Sequence, residues 1–531
     1  MGILIKNKSK IISAFFVLNF IVVLYLIINR VNYIIWSDDS AELILGKLLS
    51  DRHQILTSEW KYSSELRLFN YVLLTPILFK FIDNWYMVRI IVSILQYIIF
   101  LVVLYFFCKK IRIKDYYFLI ATLSFLPIST YIFGMTAIQL FYLPHIMVVM
   151  ISVIAIFHFL NKNTFNRFDK IAMYLYFIFS FYIGLSTNRF LICIHIPMLL
   201  MFFMLLVVNT FNYSFNDIIK YLKSNVIYLI VFCACMLNLF GYVFSILVLK
   251  KFFPYYNFSV AFTTFTFDKI GSFIGLVLNS FGYNTGLSVL NPKSVGNYLS
   301  FILLFLATAS MIYPLFLYIN KKENNSFVYN IFNLYVVFSW LAIFILYCFT
   351  DLPFTPKYIL VNMFLTIVNI LFFIIKFNIS SFYKFIITII LFVTLTINAF
   401  FIYRYYMSYD NNSERINIKN LLLNEGYYNG LSTFLNGPIL TELSNGKIDM
   451  WYTFNAPNWK IASNDSDHPL QLKIHDSTHP EGKVFIIMTN DEYEQVRFKD
   501  KLLAGNLIYS SSNFYVYGYE SYDELVKNLT D

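Results

Sequence analysis

Residues 11–50 read IISAFFVLNFIVVLYLIINRVNYIIWSDDSAELILGKLLS. The run at 11–29 is apolar, and about 20 such residues are enough for a helix to cross the hydrocarbon layer of a bilayer. Asp38, Asp39 and Glu42 follow it closely, in a chain in which charged residues make up only 13%. The segment therefore predicts a membrane helix with a carboxylate cluster at its outer end.

The composition of all 531 residues extends this prediction to the whole chain. Hydrophobic residues make up 59% and aromatic residues 20%, which is more apolar surface than a soluble core can bury. The long uniform runs are typical of helices, whereas a membrane barrel shows alternation. We expect an α-helical polytopic membrane protein with about eleven crossings, at about 11–29, 86–107, 116–134, 137–160, 171–187, 190–209, 226–249, 297–319, 327–349, 357–376 and 384–404.

Lys and Arg concentrate in alternate loops, which predicts their side of the membrane. The cluster Lys109, Lys110 and Arg112 is an example, and loops of this kind lie in the cytoplasm. The N-terminus is then cytoplasmic and the C-terminus extracytoplasmic, in the cell membrane. The first span has a basic flank, but no small-residue cleavage site follows it, so we expect an uncleaved anchor.

This orientation divides the chain into two predicted domains. Residues 1–404 form a transmembrane domain with long outer loops at 30–85 and 250–296, and residues 405–531 form a soluble extracytoplasmic domain. The first loop contains AELILGKLL (41–49), an amphipathic stretch that we expect to lie along the membrane interface. The marginal apolar run near 271–281 is short for a crossing.

The tail from 405 onward differs from the rest because it holds seven more acidic than basic residues. This acidity disfavours nucleic acid as a partner. Helical spacing is seen in ERINIKNLLLNEG, which Gly426 closes, and in DEYEQVRFKDKLL. KIDMWYTF and KVFIIMTN are typical of strands, and NLIYSSSNFYVYGY of two strands or a hairpin. We therefore expect a small α/β domain.

The carboxylates after the first span permit two interpretations. On a helix that begins near Ser37, Asp38 and Asp39 lie four and three residues before Glu42, so that all three project to one side. The first interpretation is a helix cap with solvated charges, because Ser and Asp are good capping residues. The second is a general base or metal ligand at the membrane surface.

Basic residues recur in the predicted outer loops, where the positive-inside bias does not explain them. They are Arg67 beside Glu65 in SEWKYSSELRLFN (58–70), Arg189 in GLSTNRFLICIHIP (184–197), and Lys357 before Tyr358 in TDLPFTPKYILVNMF (350–364). Each is a candidate for binding an anion such as a phosphate. The alternative for each is a side chain that anchors the protein at lipid headgroups.

Several other functions have no support in the sequence. It contains no GxGxxG, P-loop, HExxH or GxSxG motif. The five cysteines lie in or beside apolar runs, which argues against a disulfide framework. The histidines of SDHPLQLKIHDSTHP match no defined metal site, so we predict no metal ligands there.

Together these features resemble the GT-C superfamily of membrane glycosyltransferases, which includes protein O-mannosyltransferases and the bacterial enzyme that adds aminoarabinose to lipid A. The resemblance rests on DDSAELILGKLLSDRHQIL (38–56), which is similar to the acidic pair after the first span of that superfamily. It aligns Asp38 with the catalytic aspartate and Asp39 with its acidic neighbour. The phosphate-binding basic residues would be Arg67, Arg189 and Lys357.

The sequence also departs from the pattern of that superfamily. Its second acid is Asp where Glu is usual, no Arg-Tyr-Ala follows, and Lys357-Tyr358 stands where Arg-Tyr is common. Residues 62–67, YSSELR, and 430–448, GLSTFLNGPILTELSNGKI, are similar to those of a bacterial subfamily, and the resemblance leaves its acceptor open.

The resemblance implies a glycosyltransferase that uses a polyprenyl-phosphate sugar donor in the lipid bilayer. It would transfer the sugar, with inversion, to a hydroxyl of an extracytoplasmic glycan, lipid or protein. Asp38 or Asp39 would be the base, and Glu42, Glu65, Arg67, Arg189, Lys357 and Tyr358 would bind substrate. The resemblance identifies no cofactor, and a divalent metal is left open.

A transporter or flippase of polyprenyl-linked sugars is the main alternative. Such a protein carries ionisable groups near the middle of the bilayer, whereas here they lie at the predicted outer rim. A polysaccharide ligase or polymerase of another fold is a further alternative, in which arginines of later loops would be essential and the first-loop acids dispensable.

Overall fold

The computed structural model describes most of the chain, in two units that are distinguished by their internal contacts. A helical unit comprises residues up to 26, 96–245 and 259–407, and a mixed unit comprises 27–95, 246–258 and 408–531. The described residues are 8–63, 65–66, 68–69, 73–125, 128–139, 142–160, 162, 164–211, 213–255, 260–284, 286, 294–319, 327–353, 355–376, 381–453, 470–476, 478–496, 499–502 and 505–530.

Helices account for most of the described residues. In chain order they are α1 (Lys8–Ile34), α2 (Ser37–Arg52), α3 (Thr75–Phe79), α4 (Trp85–Lys110), α5 (Tyr117–Phe125), α6 (Thr130–Phe133), α7 (Leu143–Phe159), α8 (Arg167–Ser186), α9 (Ile196–Thr210), α10 (Phe215–Ser224), α11 (Ile227–Phe244), α12 (Lys250–Phe252), α13 (Phe267–Ser280), α14 (Val295–Ile319), α15 (Phe327–Phe349), α16 (Leu360–Lys376), α17 (Ser381–Ser408), α18 (Ser413–Asn424), α19 (Gly437–Leu443), α20 (Asn490–Gln495), α21 (Lys499–Leu502) and α22 (Tyr522–Thr530). π-Helical segments occur at Gly134–Ile138, Leu191–His195 and Ser245–Leu249, and 3-10 turns at Lys114–Tyr116, Pro356–Tyr358 and Lys473–Asp476.

The described helices confirm a polytopic membrane protein. Stretches that are long and apolar enough to cross a bilayer are Ile12–Ile34, Trp85–Lys110, Arg167–Ser186, Leu191–Thr210, Ile227–Phe252, Val295–Phe316 and Phe327–Phe349. An eighth would be the pair Thr130–Ile138 and Leu143–Phe159, whose axes differ by 80°. The predicted span at 116–134 is divided between α5 and α6, so it is not one continuous helix. The total of eleven crossings stays a prediction.

Helices α8 and α11 pack closely because small residues lie at their crossing. A Cβ atom on Gly184 would overlap the carbonyl oxygen of Asn238, and one on Gly241 would overlap that of Phe181. The Asn238 side chain, which is fully buried, donates from Nδ2 to the Ser180 carbonyl at 3.1 Å. Small residues and interhelical hydrogen bonds of this kind hold helices together where lipid offers no hydrophobic driving force.

Buried amides join α14, α15 and α16. Asn369 Nδ2 donates to Asn333 Oδ1 at 2.8 Å and to Ser310 Oγ at 3.2 Å. Asn362 Nδ2 donates to Ser339 Oγ at 2.9 Å. A polar group in an apolar interior costs free energy unless it is hydrogen-bonded, so these pairings fix how the three helices are registered.

The mixed unit contains a five-stranded sheet formed by the tail. Its strands are β2 (Asn429–Thr433), β3 (Asp449–Thr453), β5 (Val484–Thr489), β6 (Asn506–Ser510) and β7 (Phe514–Tyr519), in the order β3-β2-β5-β7-β6. β2 pairs parallel with β3 and β5, and β7 pairs antiparallel with β5 and β6. A second, two-stranded pairing joins β1 (Trp60–Lys61) of the first loop to β4 (Gln471–Leu472) of the tail.

The central strand β5 explains why the sheet is covered on both faces. Val484, Ile486 and Met488 belong to one core cluster, and Phe485 and Ile487 to another. Because successive side chains of a strand point to opposite faces, an unbroken apolar run requires two apolar layers. Helix α18 contributes Ile418 and Leu422 to the second of these clusters, and α22 contributes Leu525 to the first.

The predicted α/β character of the tail is confirmed. The expected strands at KIDMWYTF and KVFIIMTN are β3 and β5, and β6 and β7 form the expected antiparallel pair. Gly426, with φ +80°, follows the end of α18, where a left-handed residue is common. The expected helix at DEYEQVRFKDKLL is α20 and α21, with 497–498 outside the described residues. The predicted boundary at 404/405 stays a prediction, and the contacts group 27–95 with the tail.

We predict that Gly184→Ala destabilises the protein, because the added methyl overlaps the backbone of α11. Overpacking of this kind costs about 1–3 kcal/mol, which a thermal unfolding scan of the detergent-solubilised full chain would detect as a lower midpoint. Gly275→Ala on α13 is the matched control, since its Cβ would meet no atom within 4 Å. An equal midpoint for the two variants would contradict close packing of α8 on α11.

Candidate active site

The carboxylate cluster lies in the first turns of α2. Trp36 occupies the N-cap position with extended backbone, and Asp38 and Asp39 lie inside the first turn. Neither aspartate is the N-cap residue itself, but both are charges at a helix start, so this part of the first interpretation stays open. Negative charge in this turn is stabilised by the helix dipole, by about 0.3–1 kcal/mol at an exposed position.

The three carboxylates in the first two turns of α2 have different environments. Asp38 is exposed, whereas Asp39 is 2% exposed and Glu42 is 1% exposed. The three therefore differ in accessibility, although their spacing of three and four residues keeps them on one side of the helix. Of these three, only Asp38 has a carboxylate that a solvent-borne molecule reaches directly.

The helix is enclosed by other parts of the mixed unit. Ser37 Oγ donates to the Leu435 carbonyl of the tail at 2.9 Å, and α19 and α3 both pack against α2. Gly46 lies so close to Thr75 that a Cβ atom would overlap its side chain. Residues 41–46 are all buried by protein, so this stretch presents no apolar face to lipid, and its position along the membrane interface stays a prediction.

The tail also contacts the first turns of span helix α4. The Trp85 N–H donates to Asn445 Oδ1 at 3.0 Å, which satisfies a backbone donor that the helix itself leaves unpaired. One turn on, the guanidinium of Arg89 contacts Glu442 through Nε to Oε1 at 2.5 Å and Nη2 to Oε2 at 2.6 Å. This two-pronged ion pair is buried, with side-chain exposures of 6% and 3%.

Within the helical unit, a pocket brings together three of the predicted substrate-binding residues. Arg189, Lys357 and Tyr358 line it. The Arg189 guanidinium lies 5.0 Å and the Lys357 ammonium 5.3 Å from the centre of the Tyr358 ring. The rest of the lining is mainly apolar, with Phe190, Ile192, Cys193, Ile343, Leu346, Leu360 and Val361.

His145 and Tyr142 complete the polar part of this pocket. The His145 ring lies 5.5 Å from the ring of Tyr142 and 5.3 Å from that of Phe190. Sequence analysis missed both residues, because His145 stands inside a predicted span and carries no loop signal. Pro144, directly before it, is the feature of the sequence that could have placed His145 at the start of a helix.

The pocket is lined by unusual backbone. Ile192 and Cys193 lie in the π-helical segment Leu191–His195, and Lys357 and Tyr358 lie in a 3-10 turn. His145 is in the first turn of α7. Non-helical backbone at membrane depth is tolerated where it is buried in protein or lines a cavity, and π-bulges are frequent at functional sites.

Other charged residues near this pocket in sequence have structural partners. Asp351 accepts from the Ala261 N–H at 2.8 Å through Oδ1, and its own N–H donates to the Ala261 carbonyl at 3.1 Å. Lys269 donates to the carbonyls of Cys348 and Thr350 at 3.2 and 3.0 Å, at the C-terminal end of α15. These contacts hold the loop at 260–263 against the end of that helix.

Two predicted residues remain to be placed. Glu65 is buried in the mixed unit, and Arg67 lies outside the described residues. Among the residues that the structure describes, no group of three or more His, Cys, Asp and Glu side chains is arranged to hold a metal ion. The carboxylates of α2 therefore do not assemble a metal-ligand set with their described neighbours.

The span helices, the first-loop helix with its acids and the tail together define a polytopic membrane protein with the GT-C fold. The chain is similar to the Archaeoglobus fulgidus oligosaccharyltransferase. No family model matches the sequence, and no curated protein matches it.

Three crystal structures of that enzyme align with nearly the whole chain. For the apo form the TM-score is 0.51 with 11% identity, over 91% of this chain and 70% of that chain. For the form tethered to an acceptor peptide containing the NVT sequon the TM-score is 0.52 with 11% identity, over 93% and 70%. For the complex with Zn and sulfate it is 0.50 with 12% identity, over 91% and 69%. At this identity the likeness establishes the fold.

We predict that Asp38 and Asp39 differ strongly in accessibility. In a background without the five native cysteines, Asp38→Cys should react with a water-soluble maleimide at least about tenfold faster than Asp39→Cys, because a buried side chain reacts only after local opening. Mass spectrometry of the detergent-solubilised chain measures both rates, with exposed Asp51→Cys on the same helix as the reference. Equal rates at 38 and 39 would show that the observed burial is wrong.

Proposed function

We propose that this protein is a membrane glycosyltransferase that transfers a sugar from a polyprenyl-phosphate donor to a hydroxyl of an extracytoplasmic acceptor. The pocket of Arg189, Lys357 and Tyr358 carries the proposal, because two cations stand there beside an apolar lining. That combination suits a phosphate whose other end is a lipid chain. The GT-C fold adds support, since the similar enzyme is an oligosaccharyltransferase.

In this proposal the basic pocket holds the phosphate of the donor. Arg189 offers a planar fork of donors and Lys357 a compact charge, and the Tyr358 ring keeps both cations close together through cation–π contact. The Archaeoglobus fulgidus enzyme forms a complex with Zn and sulfate, and sulfate is a tetrahedral oxyanion like phosphate. Charge that develops on the leaving phosphate would be stabilised by these side chains.

The acceptor hydroxyl supplies the nucleophile. Its oxygen attacks the anomeric carbon, the bond from that carbon to the phosphate oxygen breaks, and the hydroxyl proton goes to a carboxylate. We assign this base to Asp38, since its exposed carboxylate is accessible to an acceptor while Asp39 is buried. The phosphate leaves as an anion, so no general acid is needed, and a single displacement inverts the anomeric centre.

The proposal needs no metal ion, and a divalent metal is left open. As the resemblance to GT-C enzymes implies, Asp39 is the acidic neighbour of the base, and Glu42, Glu65 and Arg67 are assigned to substrate binding. The acceptor is a cell-envelope glycan, lipid or protein. The acceptor peptide tethered to the Archaeoglobus fulgidus enzyme shows an acceptor of that enzyme and does not identify the acceptor of this chain.

We predict that Asp38→Asn lowers sugar transfer by about 10²-fold or more, the usual contribution of a general base. The assay follows consumption of a panel of synthetic polyprenyl-phosphate sugars by membranes that hold equal amounts of wild type or variant. Asp51→Asn is the matched control, since it removes an exposed carboxylate of the same helix that pairs with Lys47. Its rate should equal that of wild type.

Two outcomes of this assay would contradict the proposal. Wild-type consumption by both Asp38→Asn and Asp39→Asn would remove the catalytic role of the α2 carboxylates. Movement of donor across the membrane of sealed vesicles without its consumption would identify a transporter.

We further predict that the pocket recognises the phosphate of the donor. Farnesyl phosphate is the probe and farnesol the neutral comparison, with binding to the solubilised chain measured by calorimetry. Arg189→Gln and Lys357→Gln should each weaken binding of farnesyl phosphate by about tenfold or more, because a hydrogen bond to a charged group contributes about 1.5–3 kcal/mol. Binding of farnesol should change little.

Lys220→Gln is the control for these two variants. Lys220 is exposed on α10. Its substitution removes the same charge at a position outside the lining of the pocket. If Lys220→Gln weakened binding as much as Lys357→Gln, the effect would come from net charge and the assignment of the pocket would be wrong.

A further inference from the structure

The tail helix α19 contacts both the acidic helix α2 and the first turns of α4. On one side α2 packs against it, and Ile439 shares an apolar cluster with Val31 and Ile35 at the end of α1. On the other side Glu442 binds Arg89 of α4. Helix α19 of the tail therefore contacts both α2 and α4, and it restrains the position of α2.

The Arg89–Glu442 pair fixes this arrangement more tightly than apolar packing can. Both prongs of the guanidinium are engaged, at 2.5 and 2.6 Å, and this two-point geometry restrains the relative position of the two helices. A buried ion pair adds little net stability compared with well-packed apolar residues, but removal of one partner leaves an uncompensated charge. Its value here is the precision with which it orients α19.

The N-terminal end of α19 is fixed as well. Asn436, at its N-cap position, accepts from Arg415 Nη2 at 2.8 Å through Oδ1 and donates to Glu492 Oε2 at 3.2 Å. Burial lowers the pKa of Arg415 to about 10, and Glu492 and Glu414 oppose that shift, so the guanidinium is still charged at neutral pH. A charged, hydrogen-bonded group therefore orients the cap.

The same network reaches the end of the first span helix. Asn412 accepts from Arg415 Nη1 at 3.0 Å and donates to the carbonyls of Asn32 and Ile35 at 3.1 Å each. These carbonyls lie directly before α2, which begins at Ser37. The start of α2 and the start of α19 are thus tied to one buried arginine.

We propose that Arg89 and Glu442 are positioning residues that hold α19 on α4, so that α19, which packs against α2, places the Asp38 carboxylate for transfer. The tail is then an integral part of the transfer site. This inference rests on the proposed function where it concerns catalysis, and its structural half, the restraint of α2 by the ion pair, has a separate readout.

The experiment uses the full chain in lipid nanodiscs with Glu442→Gln and Arg89→Lys. Hydrogen exchange of the α2 amides at 37–52 is measured by mass spectrometry, and kcat and KM are measured with the donor panel. Glu59→Gln is the matched control, because it breaks an Arg–Glu pair with Arg52 that is exposed on both sides. A charge swap, Arg89→Glu with Glu442→Arg, tests for rescue.

In both single variants we expect the backbone amides of α2 to exchange hydrogen faster than in wild type, and those of α8 to exchange at the wild-type rate. A misplacement of about 1 Å costs about 10²-fold in rate, so kcat should fall by that factor while KM for the donor stays within about twofold. The swap should recover at least part of kcat, and Glu59→Gln should match wild type in both readouts. If the ion pair served only to keep the protein folded, the folded fraction would have an unchanged kcat, so a lower kcat at an unchanged KM indicates positioning.

Three results would overturn the inference. The first is wild-type exchange in α2 for both variants. The second is wild-type kcat in the protein that remains folded, with loss confined to the folded yield. The third is an equal effect of Glu59→Gln. If wild type itself transfers no sugar, the proposed function fails, and hydrogen exchange alone still decides whether the ion pair restrains α2.

Discussion

The absence of water in the core of a bilayer is the constraint on which the helical unit depends. An unsatisfied backbone amide or carbonyl costs several kcal/mol there, so an apolar chain must cross as helices. Two departures from regular α-helical geometry in the helical unit are the π-helical segment Leu191–His195 and the 3-10 turn Pro356–Tyr358. Both line the pocket with Arg189. Cationic side chains and irregular backbone occur together because each requires a place shielded from lipid.

In the mixed unit the main constraint is different, because this unit buries acidic side chains. Asp39, Glu42 and Glu442 are each at most 4% exposed, and an isolated buried carboxylate would lose its hydration without compensation. For Glu442 the compensation comes from Arg89, and for Asp39 the helix N-terminus contributes. An acidic tail and the buried carboxylates of the first loop are thereby compatible with one compact unit.

The class of fold could be predicted from sequence because its signals are local. Apolar runs near 20 residues identify the spans, and the uninterrupted VFIIM of β5 identifies a strand buried on both faces. The burial of AELILGKLL could not be predicted, since α19 of the tail covers it. The pairing of Arg89 with Glu442 joins residues 353 positions apart, and the strand pair of Trp60 with Leu472 is similarly remote. No period in the sequence encodes such contacts.

The same distinction explains the candidate site. Arg189, Lys357 and Tyr358 were predicted because charge at a loop between apolar runs stands out, and the structure brings them into one pocket. His145 was missed because a single histidine in an apolar run has no such contrast. Conversely, the spacing of Asp38, Asp39 and Glu42 predicts a shared side, but it does not predict that one group is exposed and two are buried. Two carboxylates in unlike environments can serve unlike roles, so the exposed Asp38 suits proton transfer and the buried Asp39 and Glu42 suit a fixed field around it.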